Sequence, residues 1–304
     1  MHPEAFKIAG LTIYWYGVLI TLGILGAITF SWFRAKKYGM THDDLTDLAF
    51  LVIIVGILGA RILYILTNLQ YFIANPGQIF QLQMQGMAFL GIVLFNVPAV
   101  LIFAKIRKIN FWRMLDLAAP AIGIGYFFGR LGCFMGGCCY GPDCSWGIKL
   151  QAVNPDVAIF PTQLLNALVA IIIFVVLFFM SKNRNLKAGE LFMWFVYIYA
   201  GLSFGTEFLR ADAGHAAILG TPFNSAQWAD LAMIIAALLT HLLFIRKQTT
   251  LSQVDDETVA AIEIRDKSAG KKNVEPQPTT PTESEAEKEE TKSDDNMPEG
   301  TGLN

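Results

Sequence analysis

Three arginines and a glutamate stand within or at the ends of otherwise apolar stretches. Arg61 ends the triplet Gly59-Ala60-Arg61, Arg130 sits in Gly129-Arg130-Leu131-Gly132, and Glu207 precedes Arg210 by three residues on one helical face. A charge inside a membrane-spanning segment is expensive and faces a bundle interior or a watery cavity, so each is a candidate functional group. Glu207 and one arginine read as a structural ion pair, which leaves a cationic excess. Guanidinium forks match phosphate oxygens in bidentate geometry, and a lipid phosphate is the anion at that depth. Arg130 and Arg210 are therefore expected to bind phosphate. Asp116, near the inner end of its stretch, reads as interfacial.

All four cysteines fall between positions 133 and 144, as Cys133, Cys138, Cys139 and Cys144, with the spacing C-x4-C-C-x4-C. In an oxidising compartment an even cysteine count points to disulfides. Inert thiols, a nucleophile and a metal site are the alternatives, although no histidine accompanies the cluster and the spacing is not a standard zinc pattern. Glycines crowd the same region: Gly123, Gly125, Gly129, Gly132, Gly136, Gly137 and Gly141. Helix packing accounts for Gly125 and Gly129 as a small-x3-small pair, whereas Gly136-Gly137 suits a loop folding over a headgroup. His215 is the one histidine placed to act as a base near the arginines, and a solvated loop position explains it equally well.

These residues are carried by seven apolar stretches, each near the ~20 residues that cross a bilayer core. They run roughly 13–33, 48–67, 86–104, 115–135, 163–180, 191–209 and 226–245. The expected fold is an all-α polytopic membrane helix bundle of about seven transmembrane helices. Of the 304 residues 54% are hydrophobic and only 16% charged, against about 25% charged in soluble chains. No basic face suggests nucleic acid. The first stretch is long enough to span, and the single Lys7 before it is not the basic cluster of a cleavable signal.

Basic residues follow alternate stretches: Arg34, Lys36 and Lys37; Lys105, Arg107, Lys108 and Arg113; Lys182, Arg184 and Lys187; Arg246 and Lys247. The opposite side carries Lys7, Lys149 and Arg210. The positive-inside rule then places the N-terminus outside and the C-terminus in the cytoplasm. The arginine cluster and the cysteines fall on the outer side. Residues 1–247 form the membrane-embedded domain. Residues 248–304 hold most of the acidic residues, and 271–304 are rich in Pro, Thr, Ser, Glu and Lys. A stretch with so little apolar surface is expected to be a disordered cytoplasmic tail.

Taken in order, these features resemble the bacterial prolipoprotein diacylglyceryl transferase family over roughly residues 8–245. The similarity is carried by Ile13-Tyr14-Trp15-Tyr16-Gly17, Gly59-Ala60-Arg61, Gly129-Arg130-Leu131-Gly132-x-Phe134 followed by Gly137 and Gly141, Pro161-Thr162-Gln163-Leu164, and Phe204-x-x-Glu207-Phe208-x-Arg210. The resemblance implies transfer of a diacylglyceryl group from phosphatidylglycerol to the lipobox cysteine thiol of preprolipoproteins, in the bacterial inner membrane. It implies partners in phosphatidylglycerol, preprolipoproteins and membrane lipids, and requires no metal or diffusible cofactor. Arg130, Arg210 and Tyr16 would be catalytic. Arg61, Gly129, Gly132, Gly141, Gln163 and Glu207, again with Arg130, would bind substrate.

The chain departs from the family pattern at defined positions. The signature asparagine is Cys133, the signature glutamate falls at Cys138, and the third-helix histidine falls at Leu90. The carboxylate after Pro-Thr-Gln-Leu is Asn166, and a sixth-helix arginine is Ser203. The phosphate-binding half is retained, while the half that would take a proton is altered. A lipid-binding relative without transfer activity is one alternative. A lipid or solute transporter is another, and it would need polar residues continuing to the inner face.

Overall fold

The computed structural model describes residues 4–8, 11–80, 89–149, 156–183, 185–211 and 221–248, all within the compact unit Met1–Glu263. His215 and the acidic tail lie outside the described residues. The described helices are α1 (Trp15–Arg34), α2 (His42–Thr67), a short α3 (Leu69–Ala74), α4 (Phe89–Arg107), α5 (Phe111–Gly136), α6 (Thr162–Met180), α7 (Glu190–Glu207) and α8 (Ser225–Leu243). The chain is an all-α polytopic membrane bundle. Helices α1, α2, α4, α5, α6 and α8 are long and apolar enough to cross a membrane. Helix α7 occupies the sixth expected stretch but has 18 residues with a glutamate at each end.

Polar residues set the helix boundaries. Thr41 and Asp44 form a capping box that starts α2 at His42, six residues before the apolar run begins. Asn110 accepts from the N–H groups of Trp112 and Arg113 and starts α5 at Phe111. Asn224 and Gln227 cap α8 in the same reciprocal way. At the C-terminus of α6, Lys37 donates to the Ser181 carbonyl and Arg34 donates to its hydroxyl at 2.6 Å, as suits cations at a helix C-terminus.

Small residues let the helices approach one another. A Cβ built on Gly91 of α4 would collide with the Gly59 carbonyl oxygen of α2, and one on Gly23 of α1 would lie 2.9 Å from Phe128 Cβ of α5. The Arg107 guanidinium, in the last turn of α4, pairs with Asp44 at 3.6 Å and with Asp47 at the start of α2. Much of the bundle's outer surface is apolar, with Phe33, Ile54, Leu58, Ile102 and Leu239 all more than half exposed. That is the inverse of a soluble fold and suits a lipid surround.

Asp116 is fully buried within the bundle. Its carboxylate accepts from the N–H groups of Gly189 at 2.6 Å and Phe192 at 2.9 Å, so α5 supplies the N-terminal cap of α7. The N-cap residue Gly189, at φ +90°, has no side chain to do so.

Two short antiparallel hairpins complete the described fold and were not expected. Strands β1 (Glu4–Ile8) and β2 (Leu11–Tyr14) lead into α1. Strands β3 (Asp143–Lys149) and β4 (Ala158–Ile159) connect α5 to α6.

Candidate functional site

The C-terminus of α5 turns sharply. Gly137 adopts the left-handed conformation at φ +71°, and the Cys138 N–H donates to the Cys133 carbonyl at 3.2 Å. This is the reversal that commonly ends a helix. Cys139 follows at φ +61°, a conformation that costs a non-glycine residue energy and persists only where neighbours enforce it. The first turn of α6 supplies the enforcement. Gln163 Nε2 donates to the Cys138 carbonyl at 2.7 Å, and Thr162 Oγ1 donates to the Cys139 carbonyl at 2.6 Å. Gln163 and Thr162 are fully buried. The Pro-Thr-Gln-Leu motif thus grips the cysteine turn, which gives Gln163 a positioning role.

That turn brings the sulfurs of Cys133, Cys138 and Cys139 to within 4.8 Å of one another. All four cysteines are free, so the expected disulfides are not formed. Three sulfurs meet at one point, and Cys144 stands apart from them on β3. Hydrogen bonds from the Cys133 and Cys138 thiols hold Cys139 well below the usual thiol range, helped by the charges of Arg210 and Arg130. Its own hydrogen bonding to Cys133 and Cys139 pushes the Cys138 thiol up.

The other expected residues gather around this turn with one exception. Tyr16, in the first turn of α1, packs its ring against Gly132, where a Cβ would lie 3.0 Å from Cδ2. The same side chain lies within electrostatic reach of Cys133, Cys138 and Cys139. Gly141 admits a crossing of three backbone segments: a Cβ there would meet the Leu209 carbonyl at 2.7 Å and that of Phe160 at 2.9 Å. Among the described residues a Cβ on Gly129 would meet nothing within 4 Å, so none of them packs against this glycine. Arg61 has a different set of neighbours. Its Nη2 donates to the carbonyls of Gln78 at 2.7 Å and Ile79 at 3.2 Å, and its guanidinium lies over the rings of Phe72 and Tyr64.

Arg130 and Arg210 differ in what holds them. Arg210 Nη1 donates to both carboxylate oxygens of Glu207, at 3.0 and 3.2 Å, so the ion pair expected of Glu207 is formed with Arg210. Asn224 Nδ2 adds a contact to Glu207 Oε1 at 3.5 Å. The Arg130 guanidinium carbon lies 4.9 Å from the centroid of the Tyr126 ring, a cation–π arrangement. Tyr126 in turn donates to Asn166 Oδ1 at 3.3 Å, which also accepts from Thr206 Oγ1 at 3.0 Å. Among the described residues no carboxylate lies within ion-pair distance of Arg130. This guanidinium is partly buried, aimed by an aromatic ring and left to pair with something else.

Asp230 was not anticipated from the sequence. It lies in the second turn of α8, is 4% exposed, and its Oδ2 has no hydrogen-bond partner among the described residues. Ser203, at the family's arginine position, is its hydrogen-bond neighbour, and Glu207 is close enough to act on it electrostatically. A lone aspartate one turn inside an apolar stretch was the available signal.

The sequence matches the family described as prolipoprotein diacylglyceryl transferase over residues 3–243. Three relatives are each named phosphatidylglycerol–prolipoprotein diacylglyceryl transferase. That of Clostridium tetani is 33% identical over 244 residues, 78% of this chain and 96% of the relative. That of Clostridioides difficile is 31% identical, covering 81% and 97%, and that of Geobacter sulfurreducens 32%, covering 82% and 97%. With Arg130, Arg210, the Pro-Thr-Gln-Leu turn and the glycine-rich end of α5 converging on one place, the match over nearly the whole bundle means that this chain belongs to the prolipoprotein diacylglyceryl transferase family.

Proposed function

We propose that this protein transfers the diacylglyceryl group of phosphatidylglycerol to the lipobox cysteine thiol of preprolipoproteins. It works as a multi-pass enzyme of the bacterial inner membrane with its N-terminus outside. The observation that carries the reading is Arg130, a guanidinium without a carboxylate partner among the described residues, stacked on Tyr126 beside open space at Gly129. A phosphate is the anion its fork matches. Arg130 would take the lipid phosphate and offset the charge that gathers on it as the glyceryl C–O bond breaks. Arg210, held by Glu207, adds positive potential from α7. Arg61, Gly132 and Gly141 would shape the lipid pocket, and Tyr16 sits at its rim beside the cysteines.

In the reaction the substrate sulfur supplies the electron pair of the new S–C bond. The C–O pair leaves with the phosphate, and the thiol proton ends on the departing glycerol phosphate. The transporter alternative is weakened by Asp116, the deep carboxylate, which is committed to capping α7. The test is incubation of the purified protein with phosphatidylglycerol and a lipobox peptide, followed by mass spectrometry. A peptide heavier by one diacylglyceryl group is expected. An unchanged peptide, with lipid binding intact, would make this a non-catalytic lipid-binding relative.

A further inference from the structure

Cys133, Cys138 and Cys139 come from two sides of the α5 turn, and the structure holds their sulfurs together without bonding them. Three backbone restraints fix the arrangement: Cys138 N–H to the Cys133 carbonyl, Gln163 to the Cys138 carbonyl and Thr162 to the Cys139 carbonyl. A tetrahedral zinc site with Zn–S bonds of ~2.3 Å needs sulfurs about 3.8 Å apart. The observed limit of 4.8 Å is a side-chain adjustment away. Gly129 and Gly136 lie on the same face of α5 as Cys133, one turn to either side. A Cβ on either would meet nothing within 4 Å, so the cluster borders open space, and Cys138 is exposed.

We infer that Cys133, Cys138 and Cys139 form a three-thiolate zinc site whose open fourth position is taken by the thiol of the incoming lipobox cysteine. Three protein ligands with an exchangeable fourth is the arrangement of catalytic zinc, and structural sites are closed by a fourth protein ligand. A thiol that coordinates zinc loses its proton outright. The metal would thus do what the family's altered proton-accepting residues do not do here. The zinc-held thiolate attacks the glyceryl carbon bonded to the phosphate oxygen. The S–C bond forms, the C–O bond breaks with its electron pair going to the phosphate, and the proton given up when the thiol coordinates ends, by way of solvent, on the departing glycerol phosphate. Nothing is oxidised or reduced. The cluster sits within electrostatic reach of Arg130 and Arg210.

The fourth-ligand part of this inference rests on the transfer reading, but the metal site itself does not. Full-length protein purified with reductant and without chelator is expected to hold about one zinc per chain by elemental analysis. Cys133→Ser and Cys139→Ser should lower zinc affinity by more than the ~10–100-fold typical of lost supporting contacts, while Cys144→Ser retains the metal. After exchange with cobalt, the sulfur-to-cobalt charge-transfer band should intensify on adding a lipobox peptide, and a peptide with serine for cysteine should leave it unchanged. Chelated, correctly folded protein should lose transfer and regain it with zinc, which avoids relying on variants that fail to fold.

The inference is overturned if zinc does not bind, if copper or a disulfide occupies the cysteines, if the cobalt spectrum ignores the peptide, or if metal-free protein transfers at full rate. That last result leaves the transferase reading standing. Zinc that binds and senses the peptide in a protein that never transfers retires the transferase reading and keeps the site.

Discussion

Replacing Arg130 separates a phosphate ligand from a structural charge. In the wild-type fold its guanidinium lies 4.9 Å from the Tyr126 centroid and faces no carboxylate among the described residues. Removing it therefore orphans no buried anion, and Arg130→Ala is expected to fold. A bidentate phosphate contact has two charge-assisted hydrogen bonds of roughly 1.5–3 kcal/mol each. Losing both removes about 3–6 kcal/mol, or ~10²–10⁴-fold in kcat/KM at about 1.4 kcal/mol per decade. Arg130→Lys keeps the charge but not the fork, and should lose one bond's worth, ~10–100-fold. The assay is mass-detected lipidation of a lipobox peptide across phosphatidylglycerol concentrations, with melting and size-exclusion profiles confirming the fold. Undiminished turnover in the alanine variant would refute the phosphate role. A variant whose activity fell only in step with its melting temperature would make Arg130 structural.

Arg210 should behave differently, because its removal takes a bidentate cationic partner from Glu207, which is only 7% exposed. Arg210→Ala is expected to destabilise by ~3–5 kcal/mol, read as a loss of folded protein in detergent. Pairing Arg210→Met with Glu207→Gln should restore folding without restoring transfer, and a fully active double variant would count against Arg210 in the site. Asp116→Ala removes both acceptors from the buried start of α7 and is expected to cost about 1–3 kcal/mol per stranded N–H. Asp116→Asn should lose less, and equal melting of all three proteins would argue against the inter-helix cap. A tag after Asn304 should resist protease added to intact cells and be cleaved after lysis. Cleavage in intact cells would reverse the orientation inferred from the basic loops.

The apolar stretches were legible because a bilayer demands length and hydrophobicity together, and each expected stretch contains a helix. Their ends were not legible from hydropathy. Helix α2 begins at His42 because Thr41 and Asp44 satisfy its first N–H groups, and a capping box adds polar residues that hydropathy reads as loop. The hairpin of β3 and β4 escaped notice because an irregular register at Asp143 and Ile148 breaks the alternation that marks a strand. Within the site, a charge pair for Glu207 was legible but its partner was not, and Arg210, just past the last residue of α7, supplies it. The spacing of Cys133, Cys138 and Cys139 could not predict their convergence. That depends on Gly137 reversing the chain and on Gln163 and Thr162, some 25 residues later, holding the turn.

Those cysteines and the altered family positions are one feature of the chain. The resemblance places the signature asparagine at Cys133 and the signature glutamate at Cys138, and the fold brings their sulfurs together with that of Cys139. A single change at either position would leave one thiol in a polar pocket with little to do there. Changing both, beside a cysteine whose left-handed backbone is enforced by α6, converts oxygen and nitrogen groups into a cluster of soft ligands without disturbing the turn that carries them. The grip of Thr162 and Gln163 acts on backbone carbonyls, so it is indifferent to which side chains the turn presents. Arg130 and Arg210, by contrast, come from α5 and from just past the end of α7, and on the proposed reading they would recognise an anion that every donor lipid with a phosphate headgroup supplies. On that reading the phosphate half needs guanidinium groups whatever the nucleophile, while the half that prepares the thiol can use either a proton acceptor or a metal.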